Sequence, residues 1–367
     1  MKIILVDDEI LALEFLELQL NKIMDAEITK FTYLDPQEDK KVIEDADLVF
    51  LDIEMPNRNG LELADQMVEV NPHLQIVFIT AFNEYAVEAF ELNALDYILK
   101  PVQAERLQKT FERLDIRKIP KTDPTSSTLQ ISVCGDLTFK QDGNSKFIKW
   151  RTAKAQELFL FLLHHSGMMV RKSELVELHW PDLELERAFS QLYTTVYNIR
   201  KTLNTFGNHL AVKSVQDGYI LILKNVIVDI VKWEEEITNA PPIHIETVDM
   251  YEKIMDLYTG AYLQSYDYLW VESERYRLER LWVKVANKIG NCYKENNYLE
   301  EAVKWYVKIC KIKPEDEQAN FSLMKMYAKL EYGLLVNYQY VQLEKALDEI
   351  GIDINPSIRE WYANWKK

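Results

Sequence analysis

The sequence predicts three successive folds: an α/β domain on a doubly wound parallel sheet, a smaller α+β domain, and an all-α helical region. The first prediction rests on continuous apolar runs such as residues 3–6 and 48–51, since parallel strands are buried on both faces. The second rests on short strands that give way to helices after residue 150. The third rests on helical, aromatic-rich sequence after residue 229, and the 367 residues suffice for about two to three domains.

Four apolar runs in the first third each end in a polar residue suited to metal or phosphate chemistry. These residues are Asp7 and Asp8 after the first run, Asp52 after the second, Thr80 after the third, and Lys100, before Pro101, after the fourth. In open α/β sheets the chemistry gathers beyond the carboxyl ends of the strands. We therefore expect these side chains to lie together at one edge of the sheet.

The residue types at this edge point to phosphoryl chemistry. Crowded carboxylates repel one another, and Mg²⁺ relieves the repulsion while keeping room for waters and phosphate oxygens. An aspartate can act as a nucleophile toward phosphorus, as Asp52 could here. The ammonium of Lys100 suits a phosphoryl oxygen, and the hydroxyl of Thr80 can follow the phosphoryl group. The alternative, acids that only cap the following helices, would explain one such site but not four together with Lys-Pro.

Residues from 1 to about 117 resemble the receiver domain of two-component response regulators. The resemblance rests on Asp7-Asp8, on Asp52 in the motif L-D-I-E-M-P, on Gly60, on Thr80-Ala81, and on Lys100-Pro101 with Tyr97 three residues before the lysine. It implies a five-stranded parallel sheet and a sensor histidine kinase as the phosphoryl donor. A phosphatase or mutase of the aspartyl-phosphate type is disfavoured, because it needs a D-x-D nucleophile motif, whereas Asp52 is followed by Ile53 and Glu54.

The resemblance also assigns a role to each residue of the pocket. Asp52 is the implied phosphoacceptor, and Mg²⁺ is bound by Asp8, Asp52 and the backbone carbonyl of Glu54, with Asp7 acting through a water. Thr80 and Tyr97 form the implied switch pair, and Lys100 contacts the phosphoryl group. Glu54 and Phe82 flank the pocket at positions where the family varies.

Charge and cysteine content bound the cellular setting and the possible partners. The net charge of −16 divides into −13 for residues 1–119, +2 for residues 129–229 and −5 for residues 230–367, so any nucleic-acid role belongs to the middle segment. Cys134, Cys292 and Cys310 lie far apart without metal-ligand spacing, which suits a reducing compartment. No signal peptide or apolar stretch of membrane length is evident, so we expect a cytoplasmic protein without a membrane partner.

A polar segment, residues 120–128, is the expected linker between a domain over residues 1–119 and one over residues 129–228. Helices are predicted over residues 153–165, 172–179 and 185–203, followed by a hairpin around Asp217-Gly218. In the third helix, Leu192, Val196, Ile199 and Leu203 form a buried stripe. The opposite face, predicted to be exposed, carries Arg187, Ser190, Thr194, Tyr197, Asn198 and Lys201, with Arg200 at its flank.

Taken alone, such a face is more typical of an ordinary solvated helix surface. However, residues from about 129 to 225 resemble a winged helix-turn-helix of the OmpR type, with Q-L-Y-T-T-V-Y-N-I-R-K-T-L similar to its recognition helix. The resemblance implies contacts with promoter DNA through the polar face and Arg200, with the helix in the major groove. The small positive charge of this segment suggests modest affinity per monomer and hence a homodimer when phosphorylated.

Residues 229–367 predict a helical repeat domain. Tyr293 and Tyr327 are 34 residues apart, as are Tyr306 and Tyr340, which is the spacing of tetratricopeptide repeats, although a generic helical bundle is the alternative. Small residues such as Gly290 would allow close helix approach. The segments L-Y-T-G-A-Y-L and W-V-E-S-E-R-Y-R-L, with the closing L-D-E-I-G-I-D-I-N-P-S, resemble the bacterial transcriptional activator domain of SARP-like regulators.

The combined interpretation is a phosphorylation-dependent, DNA-binding transcriptional regulator of a two-component system, without an enzymatic role. The expected partners are a sensor histidine kinase, promoter DNA, RNA polymerase and a second copy of the chain, with Mg²⁺ as the cofactor. The alternative hypothesis is a phospho-gated scaffold in which the helical region binds a protein partner and the middle domain does not bind DNA.

Overall fold

A computed structural model describes residues 1–56, 58–81, 95–112, 128–215 and 217–366. The chain forms two compact units, one made of Met1–Leu129 with Gln141–Val226 and the other of Gln130–Lys140 with Ile227–Lys367. Residues 120–127 of the predicted linker over residues 120–128 lie outside the described residues, as does Phe82. The division into three domains at residues 119, 128 and 228 stays a prediction.

A five-stranded parallel sheet forms the first part of the chain, as predicted. Its strands are β1 (Lys2–Val6), β2 (Glu27–Phe31), β3 (Leu48–Asp52), β6 (Gln75–Thr80) and β7 (Asp96–Leu99), with a short ladder of β4 (Glu54–Met55) and β5 (Arg58–Asn59) after β3. The five strands lie in the order β2-β1-β3-β6-β7. The helices are α1 (Ile10–Asn21), α2 (Lys40–Asp45), α3 (Gly60–Val70) and α4 (Ala104–Glu112).

Alternate residues of the strands build two cores, one on each face of the sheet. Ile4, Val49 and Phe78 belong to one core, whereas Ile3 and Phe50 belong to the other. All of these side chains are buried, which explains why the strands read as continuous apolar runs. The sequence does not show β2 as a continuous apolar run, because β2 is an edge strand in which Glu27, Thr29 and Lys30 are exposed. The apolar runs therefore did not predict the position of this strand.

Short strands and three helices follow in the middle of the chain. Asp142 and Gly143, in the turn between the strands Thr138–Gln141 and Asn144–Lys146, have positive φ angles of 51° and 80°. The three predicted helices are present within one residue of their expected bounds. The elements are β8 (Leu129–Ser132), β9 (Thr138–Gln141), β10 (Asn144–Lys146), α5 (Ala153–His164), β11 (Val170–Arg171), α6 (Lys172–His179), α7 (Leu185–Leu203), a 3₁₀ helix (Asn204–His209), β12 (Leu210–Val215) and β13 (Gly218–Leu223).

The strands β12 and β13 form the predicted antiparallel hairpin, and β11 pairs with the other side of β13. Within the second unit, β8 lies between β9 and β14 (Val226–Val228). The rest of that unit is helical, with α8 (Asp229–Asn239), α9 (Val248–Met255), α10 (Leu269–Glu295), α11 (Leu299–Ile312), α12 (Glu317–Lys329), α13 (Gly333–Glu349) and α14 (Pro356–Trp365).

Close helix approach at Gly290 is confirmed, because a Cβ there would stand 3.1 Å from a ring carbon of Tyr306. This contact packs α10 against α11. Among the helices of the described residues, none combines the length and the apolar composition that a membrane crossing requires.

Candidate functional site

The parallel sheet brings the predicted pocket residues to one edge. Asp52 ends β3 and pairs in register with Ile79, next to Thr80 at the end of β6. Asp7 directly follows β1, and Lys100 directly follows β7. The structure therefore brings together the residues that the strand ends in the sequence single out.

Three carboxylates of this edge form a cluster. Asp7, Asp8 and Asp52 each offer an oxygen, and these oxygens all lie within 4.8 Å of one another. Asp7 and Asp52 are buried and Asp8 is exposed, so the cluster opens to solvent on one side. A set of carboxylate oxygens with one open side fits a hard divalent cation that retains water, such as Mg²⁺.

Lys100 supplies the positive charge of the cluster. Its Nζ donates to Oδ2 of Asp52 at 2.7 Å and lies 2.8 Å from Oδ2 of Asp7. The ammonium thus bridges two carboxylates that would otherwise repel each other. Its backbone N–H donates to the carbonyl of Thr80 at 2.9 Å, which fixes the start of this segment against β6.

The pKa values of Asp52 and Lys100 are both raised, but for different reasons. Burial raises the pKa of Asp52, and the neighbouring Asp7 raises it further, whereas the hydrogen bond from Lys100 only partly offsets both. For Lys100, burial lowers the pKa, but the hydrogen bonds to Asp52 and Asp7 outweigh burial, and the net pKa lies above its ordinary value. Burial and the charge of Asp7 therefore disfavour the ionised form of Asp52, and an added cation would stabilise that form.

The remaining predicted pocket residues lie close to this cluster in the chain and in the sheet. The side chain of Thr80 is fully buried, and Tyr97 on β7 is half-buried with its carbonyl accepting from Nη2 of Arg106 at 3.1 Å. The backbone N–H of Glu54 points to Oδ1 of Asp52 at 3.4 Å, and the Glu54 side chain is exposed. Their roles as a switch pair and as a metal ligand stay predictions.

The helix α3 begins directly against Asp52. A Cβ at Gly60 would lie 2.0 Å from the backbone oxygen of Asp52, so no other residue type fits here without a backbone shift. The N–H of Gly60 donates to the carbonyl of Ile53 at 2.8 Å, and Oδ1 of Asn59 caps the helix through the N–H of Leu61. The loop between β3 and α3 thus ties the helix to the backbone of the candidate phosphoacceptor.

The prediction that the polar face of α7 is exposed was largely wrong for this structure. Arg187 and Lys201 are exposed, but the residues between them are covered. The buried members of the predicted DNA-binding set are Ser190, Thr194, Tyr197, Asn198 and Arg200. The physical reason is that α3 packs on α7, and Tyr193 and Tyr197 join the same apolar cluster as Leu61 and Ala64 of α3.

Arg200 is the centre of the contact between α3 and α7. Its Nη1 donates to the carbonyl oxygen of Asp65 at 2.6 Å and also to the Asp65 carboxylate, and its Nη2 donates to Glu69 at 2.9 Å. Its Nε donates to the carbonyl of Val212 at 2.8 Å and its Nη2 to Ser214 at 3.0 Å. All five guanidinium donors are therefore used within the protein.

The acidic residues of α3 were missed as functional candidates by sequence reasoning. Glu62, Asp65 and Glu69 follow spacings of three and four, which places them on one face of the helix. Glu62 pairs with Nζ of the buried Lys172 at 2.5 Å, and Asp65 accepts from the hydroxyl of Tyr219 at 3.1 Å. This acidic stripe on a helix that otherwise buries apolar residues was the signal that could have found them.

Burial governs the ionisation of this contact. Asp65 has a raised pKa because burial outweighs the opposing charge of Arg200 and the hydrogen bond from Tyr219. Burial also raises the pKa of Tyr219 well above its ordinary value, and the charge of Asp65 adds to the effect.

Two parts of the chain match known protein families. Residues 3–112 match the family described as response regulator receiver domain, and residues 243–364 match the bacterial transcriptional activator domain. These matches cover the sheet with its acidic edge and most of the helical second unit.

Individual relatives extend the similarity beyond the receiver. The sensory transduction protein LytR of Streptococcus agalactiae is 30% identical over 240 residues, which cover 64% of this chain and 86% of the relative. LytR of Streptococcus mutans is 29% identical over 234 residues, which cover 63% of this chain and 84% of the relative.

Among solved structures, EmbR of Mycobacterium tuberculosis, determined with a low-affinity phosphopeptide, has a TM-score of 0.51 at 18% identity. The match covers 66% of this chain and 65% of EmbR, just under two thirds of its length. At this identity the likeness concerns the fold alone.

Proposed function

This chain belongs to the family of two-component response regulators, and on that premise we propose that it is a phosphorylation-dependent, DNA-binding regulator of transcription. The observation that carries the proposal is the placement of Asp52, a buried carboxylate that ends β3 beside Asp7 and Asp8 and within 2.7 Å of Lys100. A nucleophilic carboxylate, carboxylate ligands for a cation and a fixed ammonium are the groups that phosphoryl transfer to an aspartate requires.

The proposed transfer step uses the groups at these positions. A carboxylate oxygen of Asp52 attacks the phosphorus of a phosphohistidine on a sensor histidine kinase. The new O–P bond forms as the N–P bond breaks, and the histidine nitrogen of the kinase recovers its electron pair and takes up a proton. Lys100 then contacts an oxygen of the transferred group in place of part of its present contact with Asp52.

Mg²⁺ bound by Asp8, Asp52 and the backbone carbonyl of Glu54, with Asp7 assisting through a water, would neutralise charge on the phosphoryl oxygens. The residues of this chain orient the acceptor. Lys100 holds the Asp52 carboxylate in place, and the N–H of Glu54 lies beside its other oxygen. Thr80 and Tyr97 are the proposed switch pair that follows the phosphoryl group.

The middle of the chain is the proposed DNA-reading part. The helices α5, α6 and α7 followed by the β12–β13 hairpin have the element order of a winged helix-turn-helix, in which α7 would enter the major groove. The second unit, which includes the match to the bacterial transcriptional activator domain, would form a tetratricopeptide-like module for contacts with RNA polymerase. We propose a homodimer as the phosphorylated, DNA-bound form, without an enzymatic activity of its own.

One observation favours a second candidate, a phospho-gated scaffold that does not bind DNA. Tyr197, Asn198 and Arg200, on the face of α7 that would read DNA, are buried in this structure. If that face never becomes accessible, the helical second unit would be the only output surface.

DNA binding of the full chain separates the two candidates. Purified chain is mixed with genomic promoter fragments, with and without Mg²⁺ and beryllofluoride as a phosphoryl mimic, and binding is measured at several salt concentrations. The proposed function predicts that binding rises with beryllofluoride and falls steeply with salt, because Lys and Arg release counterions from phosphates. The Asp52→Asn variant is the control and should not respond to beryllofluoride. Salt-independent retention, or no retention in any state, would favour the scaffold.

A further inference from the structure

We propose that the acidic stripe of α3, formed by Glu62, Asp65 and Glu69, occupies an anion-binding surface on the middle domain that DNA phosphates use once α3 has left. The cations of that surface are Lys172 and Arg200. The inference rests on the proposed DNA-binding function and assigns to α3 the part of an intramolecular competitor for DNA.

Charge and geometry match across this contact. Lys172 pairs with Glu62 at 2.5 Å, and Arg200 pairs with Asp65 and, at 2.9 Å, with Glu69. Arg200 forms several bonds in a fork, the geometry in which a guanidinium also holds a phosphate. Three carboxylates along one helix thus present anionic oxygens to two cations, as a run of backbone phosphates would.

Burial makes the contact exclusive. The side chains of Lys172 and Arg200 are only 7% and 6% exposed, so neither can meet a second anion while α3 is in place. Two tyrosines line the same contact, with Nζ of Lys172 lying 5.0 Å from the ring centre of Tyr193 and 5.8 Å from that of Tyr219. DNA and α3 therefore compete for one surface.

The same helix is tied to the phosphoacceptor at its other end. Gly60, the first residue of α3, packs on the backbone oxygen of Asp52 so closely that an added Cβ would stand 2.0 Å from it. Asp65 lies five residues further along the helix, which is about 7.5 Å at the rise of an α-helix. Any backbone movement of residues 52–53 on phosphorylation is thus passed to the acidic stripe through a short, rigid helix.

This coupling through α3 uses other residues than the proposed switch pair, since Thr80 lies on β6 and Tyr97 on β7. Coupling along α3 requires a contact that has two states, closed and open, and phosphorylation must change the populations of these states. That contact consists of the ion pairs of the acidic stripe with Lys172 and Arg200. Because those pairs are intramolecular, α3 is present at the surface of Lys172 and Arg200 at a high effective concentration. DNA can therefore bind this surface only when the contact with α3 is weakened.

The test uses amine labelling of Lys172 in the full chain, read by peptide mass spectrometry. The expected result is that Lys172 in wild type reacts about tenfold faster when Mg²⁺ and beryllofluoride are added, as a tenfold change in the open population requires. The double variant Glu62→Gln, Glu69→Gln should show the faster labelling and tighter DNA binding without beryllofluoride. Lys224, an exposed lysine of the same domain, serves as the internal reference.

The matched control is the double variant Glu14→Gln, Glu27→Gln, which makes the same charge change at exposed positions on α1 and β2. It should leave Lys172 labelling and DNA binding at the wild-type level. If the α3 variant does not fold, the comparison of wild type with and without beryllofluoride carries the test alone.

The outcomes are distinguishable. Unchanged Lys172 labelling with beryllofluoride, although Asp52 is occupied, overturns the inference even if DNA binding responds. Faster labelling without DNA binding in any state supports a phosphorylation-sensitive contact between α3 and Lys172 of α6. It overturns the DNA-binding function and the competition with phosphates. Faster labelling together with tighter DNA binding supports both.

Discussion

Lys100 and Asp52 are joined by a hydrogen bond of 2.7 Å between Nζ and Oδ2, and the same ammonium lies 2.8 Å from Oδ2 of Asp7. The lysine therefore takes up carboxylate oxygens that a divalent cation would also bind. A metal ion or a phosphoryl group bound at this site would have to displace or share the contact between Lys100 and Asp52.

Replacement of Lys100 should strengthen metal binding. In Lys100→Met the ammonium no longer competes for Asp7 and Asp52, and we expect Mg²⁺ to bind about tenfold tighter, or roughly 1.4 kcal/mol, near pH 8. Isothermal titration calorimetry of the full chain measures the affinity. Lys109→Met, which removes a lysine from α4, is the control. Weaker Mg²⁺ binding by Lys100→Met would mean that the lysine orders the ligands rather than competing with the metal.

The raised pKa of Asp52 gives its charge a defined effect on stability in the absence of metal. Burial and Asp7 raise the pKa of Asp52 in the folded protein above its value in the unfolded chain. The contribution of Asp52 to the free energy of unfolding is therefore fully present below the ordinary aspartate pKa, and it is lost as pH rises through the folded pKa. We expect Asp52→Asn to be more stable than wild type at neutral pH in chelator. Urea unfolding between about pH 4 and pH 8 should show this advantage grow with pH. A constant difference across that range would contradict the raised pKa.

Asp96 should show the opposite pH dependence. Burial raises its pKa, but hydrogen bonds from Arg106 and Thr110 outweigh burial, and the net pKa is lowered. Its contribution is therefore present above the ordinary aspartate pKa and lost as pH falls through the folded pKa. We expect Asp96→Asn to cost about 2 kcal/mol near neutral pH, with the cost shrinking in acid, as measured by urea unfolding. Asp25→Asn, at an exposed position, should cost much less.

Gly60 should be intolerant of even one added carbon. In Gly60→Ala the new Cβ would meet the backbone oxygen of Asp52, and a backbone shift costing about 2 kcal/mol is expected from overpacking. Thermal unfolding measures the loss. Gly333→Ala is a matched control, since Gly333 also begins a helix but a Cβ there would be 3.7 Å from the nearest atom, on Trp365. Equal stability of both variants would show that the β3–α3 loop adapts freely.

The sequence predicted the sheet and its acidic edge well because both depend on local patterns. Continuous apolar runs identified four strands, and the strand ends placed Asp7, Asp52 and Lys100 together, as the geometry confirms. The strand β2 escaped because it lies at the edge, where Thr29 and Lys30 face solvent and the apolar run is broken.

The contact between α3 and α7 could not be predicted in the same way. Asp65 and Arg200 are 135 residues apart, and periodicity only says which face of a helix is polar, not what covers it. A polar face that meets solvent and one that meets a complementary charged helix look alike in sequence. The spacing of Glu62, Asp65 and Glu69 marked an acidic face on α3, but only the fold paired it with Arg200.

Phosphorylation of Asp52 can be measured by intact-mass spectrometry after incubation of the full chain with Mg²⁺ and acetyl phosphate. We expect wild type to gain one phosphoryl group in a hydroxylamine-sensitive acyl linkage, mapped to Asp52. We expect Asp52→Asn to gain none while keeping its fold. Equal labelling of Asp52→Asn, or a wild-type chain that stays unmodified in the presence of Mg²⁺, would contradict the proposed phosphorylation of Asp52.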